Sequence, residues 1–444
     1  MLRGQGNRPL TWLWCAGLFL LPLVSGMGSA ITVAGLAPVR PFAVALAVVG
    51  LAVAVTRRTP PTAVSWGIVL LGVLWLSWGL FHPPTYPAIS ELSSITLGLL
   101  TTWVLVLRPA DDVDLGWFTG GWVFAWWVCV LPGLYEIVTG KHLPNYLEGS
   151  PQWVREASTD IASFFVNPNL FAYFLAVGMV MLALAATMTT RVWVRRGVLA
   201  MVVMTPVVVF QTGSRITTLV CCLILVWVVW AWWPGVVRRI IIIAGGVAAA
   251  AVVIAFAMFP QLSMKVENEL SGSGIHRLNL YRNGVWMLQQ TLGIGVGAGN
   301  FESAISVDSA PYETAGARNP HSGVFEIASQ YGVLWAGVLF ALVVVLMWVG
   351  WRGFFQRFGS RSEEIMRQAV FVSAVALPLL SFANSTFLDS PIAWIHVAGT
   401  TMVACSLRLK HTTVSTGPRS ASVEQVLVTR QRLRQTSSLG ARES

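Results

Sequence analysis

The sequence predicts an all-α, polytopic membrane protein with about twelve transmembrane helices. Three observations predict this class. Only 11% of the 444 residues are charged, whereas soluble proteins carry about a quarter. The apolar residues fall in runs close to the roughly 20 residues that cross a bilayer as a helix. Tryptophan occurs 21 times, and many of these residues lie at the ends of the runs, as interfacial aromatic residues do.

Twelve apolar segments are predicted to cross the membrane. Their approximate bounds are 10–30, 38–55, 62–81, 88–107, 116–138, 166–188, 197–211, 216–233, 239–259, 322–349, 368–385 and 391–408. The first segment also resembles a signal peptide, with small residues near Ala30 as a cleavage site. Because a further span follows at once, we interpret it as an uncleaved first helix.

Arginine is concentrated in alternate connections between these spans. The clusters are Arg57/Arg58, Arg108, Arg191/Arg195/Arg196, Arg238/Arg239 and Arg352/Arg357/Arg361/Arg367, and the tail opens with Arg408 and Lys410. With the amino terminus in the cytoplasm, all of them fall on the cytoplasmic side, as the positive-inside rule requires. Both termini are therefore predicted to be cytoplasmic. The net charge of +10 indicates topology rather than a nucleic-acid partner.

The same topology divides the chain into three parts. Residues 1–160 contain the first five helices and a first outer loop. Residues 161–410 form a core whose large outer loop, 260–321, precedes the third-last helix; loops of such length are usually functional or disordered. Residues 411–444 are rich in Ser, Thr, Gln and Arg, and we predict a disordered, basic cytoplasmic tail.

The first candidate site is the outward turn Thr212-Gly213-Ser214-Arg215 between two apolar runs. An arginine at a helix centre costs about 2.5–3.5 kcal/mol, and less near the interface. A snorkelling arginine that closes a turn would explain Arg215 equally well. The positive-inside bias disfavours an arginine on the outer side, however, and this favours a functional role.

The second candidate is HRLNLYRNGVWMLQQTLGIGVGAGNFES, residues 276–303. It predicts an amphipathic helix that carries Arg277 near its start and also Arg282, followed by a glycine run that includes Gly295 and Gly297. No strand precedes the glycines and no Lys-Ser/Thr pair follows them, which argues against a nucleotide-binding loop. Glycine instead lets the backbone turn sharply or pass close to a ligand.

The third candidate is Arg318-Asn319-Pro320-His321, which leads into an apolar span. Proline suits the start of a helix, and the free N–H groups of that helix, with an arginine beside them, would attract an anion. His321 could equally be an ordinary interfacial residue. Within the span, Glu326 and Gln330 share one helix face, and we favour packing hydrogen bonds for both. Asn167, before another span, is favoured as a helix cap.

These residue types point to a phosphorylated lipid. The planar arginine fork suits phosphate oxygens, and histidine accepts a proton near neutral pH. A substrate with a lipid tail and a diphosphate at the interface would use both. The sequence has no H-E-x-x-H motif, no clustered Cys/His set and no Walker motif, so neither a metal nor a cofactor is predicted.

Three segments together resemble the O-antigen ligase and polymerase superfamily of bacterial membrane glycosyltransferases: GSRIT, HRLNLYRNGVWMLQQTLGIGVGAGNF and NPHSGVFEIASQYGVLWAG. The family has an arginine after a serine in a short outer turn, matched by Arg215. It has an arginine upstream of a G-V-G-x-G-N-F stretch, matched by Arg277. It then has a histidine that opens a helix, matched by His321, with Glu326 and Gly332 at later family positions. The resemblance covers roughly residues 160–350.

The resemblance implies transfer of a glycan from undecaprenyl diphosphate to an acceptor hydroxyl at the outer face of a bacterial cytoplasmic membrane. The acceptor would be a glycan, a lipid or a wall component, and neither a cofactor nor a metal would take part. His321 would take the proton from the acceptor, and Arg215 and Arg277 would hold the diphosphate. The substrate-binding residues would include Arg318, Arg282, Asn319, Gly295 and Gly297. The family histidine is often followed by asparagine, whereas here Ser322 follows and Asn319 precedes it.

Two other functions fit a membrane protein with outer basic residues. One is a flippase or transporter for a lipid-linked glycan, which should carry polar residues through the depth of a cavity. The other is a non-catalytic partner in envelope assembly. Most ionisable residues here lie at the outer rim, which favours the enzyme. The residues do not distinguish a ligase from a polymerase, because both use the same donor chemistry.

Overall fold

The computed structural model describes residues 8–27, 37–82, 85–148, 152–233, 235–237, 239–240, 243–245, 274–306, 310–356, 358–383 and 386–415. The helices bounded within these ranges are α1 (Arg8–Met27), α2 (Val39–Thr56), α3 (Ala63–Gly79), α4 (Tyr86–Val106), α5 (Asp112–Thr139), α6 (Gln152–Ala157), α7 (Pro168–Met188), α8 (Val192–Phe210), α9 (Arg215–Trp232), α10 (Ile275–Gln290), α11 (Phe301–Ile305), α12 (Gly323–Phe355), α13 (Arg361–Ser381) and α14 (Pro391–Ser415). The described residues contain no strand. The predicted all-α membrane fold is confirmed.

Eleven of the twelve predicted spans correspond to described helices. Nine of these helices are long and apolar enough to cross a membrane, and Ala63–Gly79 and Pro391–Leu407 are shorter apolar helices. Most of the remaining predicted span, 239–259, lies outside the described residues. Helix α14 continues to Ser415, so residues 411–415 are helical where the sequence predicted disorder; residues 416–444 lie outside the described residues.

Three predicted spans, those of α5, α8 and α13, begin too late because their first turns carry charged residues. Helix α5 starts at Asp112, since the Asp111 side chain accepts from the backbone N–H groups of Val113 and Asp114 and so forms a capping box. Helix α13 starts at Arg361, where the Ser360 hydroxyl accepts from the Glu363 backbone N–H. Hydropathy alone locates the apolar part of such a helix and misses its capped first turn.

Helix α7 is the central helix of the bundle, because nearly every one of its residues from Phe171 to Ala186 is buried. It packs against α5, α8, α9 and α13. The Asn167 side chain accepts from the Asn169 backbone N–H at 2.8 Å and caps this helix, as predicted.

Contacts between helix termini show which loops share an end of the bundle. Gln330 of α12 donates to Glu91 in the second turn of α4 at 2.9 Å. Helix α5 begins beside the end of α4, where Arg108 pairs with Asp114 at 2.7 Å, and Glu136 near the other end of α5 accepts from the Ser163 backbone N–H at 2.6 Å. Ile161, close by, donates its backbone N–H to the Gln211 carbonyl at 3.1 Å. The starts of α4, α7, α9 and α12 therefore lie at one end, which we call the loop end.

The opposite end carries the arginine clusters. Arg57 lies 3.8 Å from Asp111, Arg108 pairs with Asp114 at 2.7 Å, and Arg361 donates to the Ala231 carbonyl at 2.6 Å. These contacts join the ends of α2, α4 and α9 to the starts of α5 and α13. Arg57, Arg108 and Arg361, which the sequence assigns to one side, do share one end. Which end faces the cytoplasm stays a prediction.

Candidate active site

His321 occupies a restrained position at the mouth of α12. Its φ is +47°, which is uncommon for a residue other than glycine and indicates that the surrounding contacts fix the backbone. The side chain is partly buried. Burial, and next the positive charge of Arg277, lower the pKa of His321 to about 4. The imidazole is therefore neutral at neutral pH and has a free nitrogen lone pair.

Arg277 and Tyr281 approach His321 from helix α10, one turn apart. The Tyr281 hydroxyl donates to the His321 backbone carbonyl at 3.3 Å, so Arg277, one turn earlier on the same helix, lies at the same mouth of α12. The Tyr281 ring stacks on Phe325 of α12, with ring centroids 4.5 Å apart and planes 7° apart. Burial raises the pKa of Tyr281, and the Arg277 charge opposes that rise. The structure thus brings together two predicted site residues and adds Tyr281, which the sequence marked only as part of an amphipathic helix.

Arg215 is the first residue of α9 and is exposed at the loop end. The turn before it packs on the segment between α6 and α7. A Cβ added to Gly213, whose φ is +68°, would lie 2.6 Å from the carboxylate oxygens of Asp160. The turn that carries Arg215 is therefore held against the first outer loop, at the same end of the bundle as His321.

The three remaining polar candidates differ in their surroundings. Arg282 is exposed and lies over the Tyr312 ring, 5.6 Å from its centroid, with Nη1 3.5 Å from the Asn279 side-chain oxygen. Arg318 is exposed three residues before His321, and Asn319 is partly buried. The side chain of Arg282 is thus engaged with Tyr312, whereas Arg318 is attached to the segment that carries His321. This difference favours Arg318 as the helper arginine.

The glycine run contacts the protein's own backbone. Gly297 donates its N–H to the Gln330 carbonyl at 2.9 Å, and the Gly295 carbonyl lies 3.1 Å from His82 Nε2. Both glycines have positive φ, and a Cβ would lie 2.5 Å from the Gln330 carbonyl oxygen at Gly295 and 2.5 Å from the His82 ring at Gly297. These contacts explain why glycine is required at both positions. A ligand contact at either one stays a prediction.

Helix α12 is interrupted where this loop crosses it. Gly332 has φ 86° and ψ 175°, and a Cβ there would lie 2.3 Å from the Gly293 carbonyl oxygen. The next residue, Val333, donates its backbone N–H to that same carbonyl at 3.0 Å. The loop thus supplies an acceptor at a position where the broken helix lacks one.

Glu326 and Gln330 of α12 form packing hydrogen bonds, as predicted. Glu326 is buried and accepts from the Phe387 backbone N–H at 2.6 Å. Gln330 is buried and donates to Glu91. Among the described residues, no group of three or more His, Cys, Asp or Glu side chains is placed to hold a metal ion. Metal independence of the reaction stays a prediction.

A cavity of about 300 Å³ opens beside α4 near the loop end. Arg40 and Asp389 lie among its lining residues near the starts of α2 and α14, while Leu97, Gly98 and Thr101 line it farther along α4. Asp389 is exposed to the cavity yet surrounded by protein. Burial raises its pKa, and Ser94 and Arg40 oppose that rise. The charged groups of this cavity are thus confined to its mouth.

Comparison with known proteins identifies a family and a relative that this chain resembles. Residues 199–337, which include Arg215, Arg277 and His321, match the protein-family model described as O-antigen ligase. The teichuronic acid biosynthesis protein TuaE of Bacillus subtilis (strain 168) is 22% identical over 348 residues, which cover 75% of this chain and 70% of that protein. The predicted resemblance is confirmed. With the apolar helices, these findings support a multi-pass membrane enzyme of polysaccharide biosynthesis.

Proposed function

We propose that the protein is a glycosyltransferase that moves a glycan from undecaprenyl diphosphate to an acceptor hydroxyl at the outer face of a bacterial cytoplasmic membrane. The observation that carries the proposal is the hydrogen bond of 3.3 Å between Tyr281 and the His321 carbonyl, because it holds the helix that carries Arg277 at the mouth of α12. Arg215 lies at the same end of the bundle. A proton acceptor next to a phosphate-binding cation is the combination that this transfer needs.

In the proposed reaction, the acceptor oxygen bonds to the anomeric carbon of the donor sugar. The bond between that carbon and the diphosphate oxygen breaks, and its electron pair leaves with the diphosphate. His321 accepts the hydroxyl proton through its free ring nitrogen. Arg277 and Arg215, with Arg318 as the helper, stabilise the negative charge that develops on the leaving oxygen.

Substrate binding would also adjust the basicity of His321. An imidazole with a pKa of about 4 is neutral but a weak base. A bound diphosphate would offset the positive charge of Arg277, which is one of the two causes of that low pKa. The imidazole would then become a stronger base only when the donor is in place. Such coupling would limit proton abstraction to the loaded enzyme.

The acceptor is less constrained than the donor. The relative TuaE is named for teichuronic acid biosynthesis, and we accordingly assign the chain to polysaccharide assembly. Another lipid-linked repeat would make the enzyme a polymerase; a lipid, wall or protein anchor would make it a ligase. The donor half of the site is the same in both cases.

The cavity beside α4 favours the enzyme over a flippase. A flippase needs charged or polar groups through the membrane depth, whereas the charged lining residues Arg40 and Asp389 lie near the loop end and the lining farther along α4 consists of Leu97, Gly98 and the hydroxyl-bearing Thr101. A non-catalytic assembly partner would not need a histidine and an arginine held together at the mouth of α12.

The test is release of lipid diphosphate. Purified protein in lipid nanodiscs would be incubated with an undecaprenyl-diphosphate-linked glycan and scored for free undecaprenyl diphosphate and for a lengthened or transferred glycan. The proposal predicts both products in equal amounts, and no release with Arg277→Ala. The exposed Glu302→Gln variant is the control and should retain activity. Movement of intact donor between leaflets without release would identify a flippase and contradict the proposal.

A further inference from the structure

Glu91 is a buried acid of α4 that the proposed mechanism does not use. It lies where α4, the glycine run and α12 meet, and we call this contact the junction. The residue is 4% exposed. One carboxylate oxygen, Oε1, accepts from the Tyr331 hydroxyl at 2.6 Å and from the Gly299 backbone N–H at 3.1 Å. The other, Oε2, accepts from Gln330 Nε2 at 2.9 Å. Three donors thus bond to the two oxygens of one buried carboxyl group.

The three donors come from the part of α12 just before its interruption and from the loop that crosses it. Gln330 and Tyr331 are the two residues before Gly332, where the helix breaks. Gly299 is the last residue of the glycine run, which crosses the break. Another residue of this run, Gly297, donates to the backbone carbonyl of Gln330. Glu91 therefore bonds both to the helix before its break and to the loop that crosses it.

These two segments carry the two halves of the candidate site. The glycine run follows α10, which carries Arg277, and α12 begins two residues after His321. Because α10 leads directly into the loop, a shift of the loop against α12 would move Arg277 relative to His321. The carboxylate of Glu91 is buried and its oxygens are occupied, so it acts through these segments.

We propose that Glu91 is a positioning residue, whose carboxylate fixes the glycine loop to the broken helix and thereby sets the position of Arg277 relative to His321. Its effect on glycan transfer rests on the proposed function. Its effect on the loop does not, and the two can be measured separately.

Replacement by glutamine distinguishes this role from a role for the negative charge itself. In Glu91→Gln, the remaining carbonyl oxygen can keep the Tyr331 and Gly299 hydrogen bonds. The new amide would face Gln330 Nε2, donor against donor, unless the Gln330 amide turns over. Gln330 Oε1 is buried and has no hydrogen-bond partner, so the turned amide would offer it as the acceptor. Glu91→Gln should therefore retain the junction, while Glu91→Leu should lose all three hydrogen bonds.

The exchange of the two side chains provides a rescue. Gln330→Glu alone would place two carboxylates against each other and should open the junction. The double variant Glu91→Gln/Gln330→Glu restores one amide facing one carboxylate and should restore it. Recovery in the double variant would show a direct contact between the two positions rather than two independent losses of fold.

The structural measurement is a disulfide across the junction. Val333 and Ile294 are exposed, and the Val333 backbone N–H bonds to the carbonyl of Gly293, the residue before Ile294. Cysteines would be introduced at both positions, and the exposed natural Cys222 would be replaced by serine. Oxidation of the full-length protein in native membranes then reports whether the loop stays on the helix. Donor-dependent glycan transfer would be measured in the same variants without the added cysteines.

We expect efficient crosslinking with Glu91, with Glu91→Gln and with the double variant, and loss of crosslinking with Glu91→Leu. Transfer should fall at least about 100-fold in Glu91→Leu and no more than about tenfold in Glu91→Gln, as loss of several buried hydrogen bonds implies. The exposed Glu302→Leu variant is the matched control and should change neither readout.

Two results would overturn the proposal. Equal crosslinking in Glu91→Leu and the parent protein would show that the carboxylate does not hold the loop. Loss of transfer in Glu91→Gln with crosslinking intact would show that the negative charge acts in some other way. Failure of the proposed function is distinguishable from both, because the parent protein would then show no transfer while the crosslinking series still followed the expected order.

Discussion

The Tyr281 hydroxyl donates a hydrogen bond of 3.3 Å to the backbone carbonyl of His321. This bond links helix α10 to the segment in which the histidine has its left-handed backbone conformation. Together with the stack on Phe325, it makes Tyr281 the direct connection between the arginine-bearing helix and the mouth of α12.

Tyr281→Phe should lower kcat and leave the amount of folded protein unchanged. The phenylalanine ring can keep the stack on Phe325, and only the bond to His321 is lost. A hydrogen bond contributes about 1 kcal/mol, so the expected loss in kcat is roughly fivefold. Steady-state kinetics of purified protein measure it. Unchanged kcat would show that the hydroxyl does not restrain His321.

The pH dependence of transfer should reflect the low pKa of His321. The mechanism needs the neutral imidazole. On the acid side of the pH profile, which we call the acid limb, kcat/KM should therefore rise with pH through the pKa of His321 in the free enzyme, about 4, and become constant above about pH 5.5. Burial is the larger cause of the low pKa of His321, and the Arg277 charge is the second. Because Arg277→Gln removes that charge, it should raise the pKa and move the acid limb of the residual activity to higher pH. With donor bound, the limb in kcat should lie above that in kcat/KM. A free-enzyme limb at the ordinary value of 6.5 would contradict this account of the site.

Gly332→Ala should prevent normal folding of the site region. An added methyl group would lie 2.3 Å from the Gly293 carbonyl oxygen, and φ of 86° is unfavourable for alanine. Overpacking of this kind costs about 1–3 kcal/mol, to which the backbone strain adds. Thermal unfolding of the purified protein would measure the loss. Gly337→Ala, in the same helix but with open space around it, is the control and should unfold at or above the parent temperature.

Arg215 should be needed for transfer and not for insertion. It begins α9 at the loop end and is exposed there. Arg215→Ala should abolish transfer, and Arg215→Lys should retain a small part of it, because an ammonium keeps the charge but loses the bidentate fork. Arg282→Ala should have a smaller effect, since that side chain packs on Tyr312. Donor-dependent transfer at equal amounts of membrane-inserted protein is the measurement. An active Arg215→Ala variant would remove this residue from the mechanism.

Much of the fold could be predicted because its causes are local. Apolar runs locate the spans, and the uneven distribution of arginine predicts which loops lie together; Arg57, Arg108 and Arg361 do lie at one end. Asn167 was identified as a cap because capping involves neighbouring residues. The capped first turns of α5 and α13 were missed because they are polar and short.

The inner structure of the site depends on contacts between distant segments, and these leave a weaker trace in a single sequence. Glu91 and Tyr331 are 240 positions apart and bond through their side chains. The sequence signal was a lone glutamate in an apolar run, which by itself indicates a functional or buried polar residue without naming its partner. The break at Gly332 was similarly hidden, because a glycine in a long apolar run is common in transmembrane helices.

The most direct test of the central claim is glycan transfer by His321→Ala compared with the parent protein. Both would be purified in nanodiscs and supplied with the same undecaprenyl-diphosphate-linked glycan and acceptor. The parent should release undecaprenyl diphosphate and transfer glycan in equal amounts. His321→Ala should bind the donor through its arginines and lose transfer by at least about 100-fold, within the range of general-base catalysis. Transfer by His321→Ala at the parent rate would contradict the account.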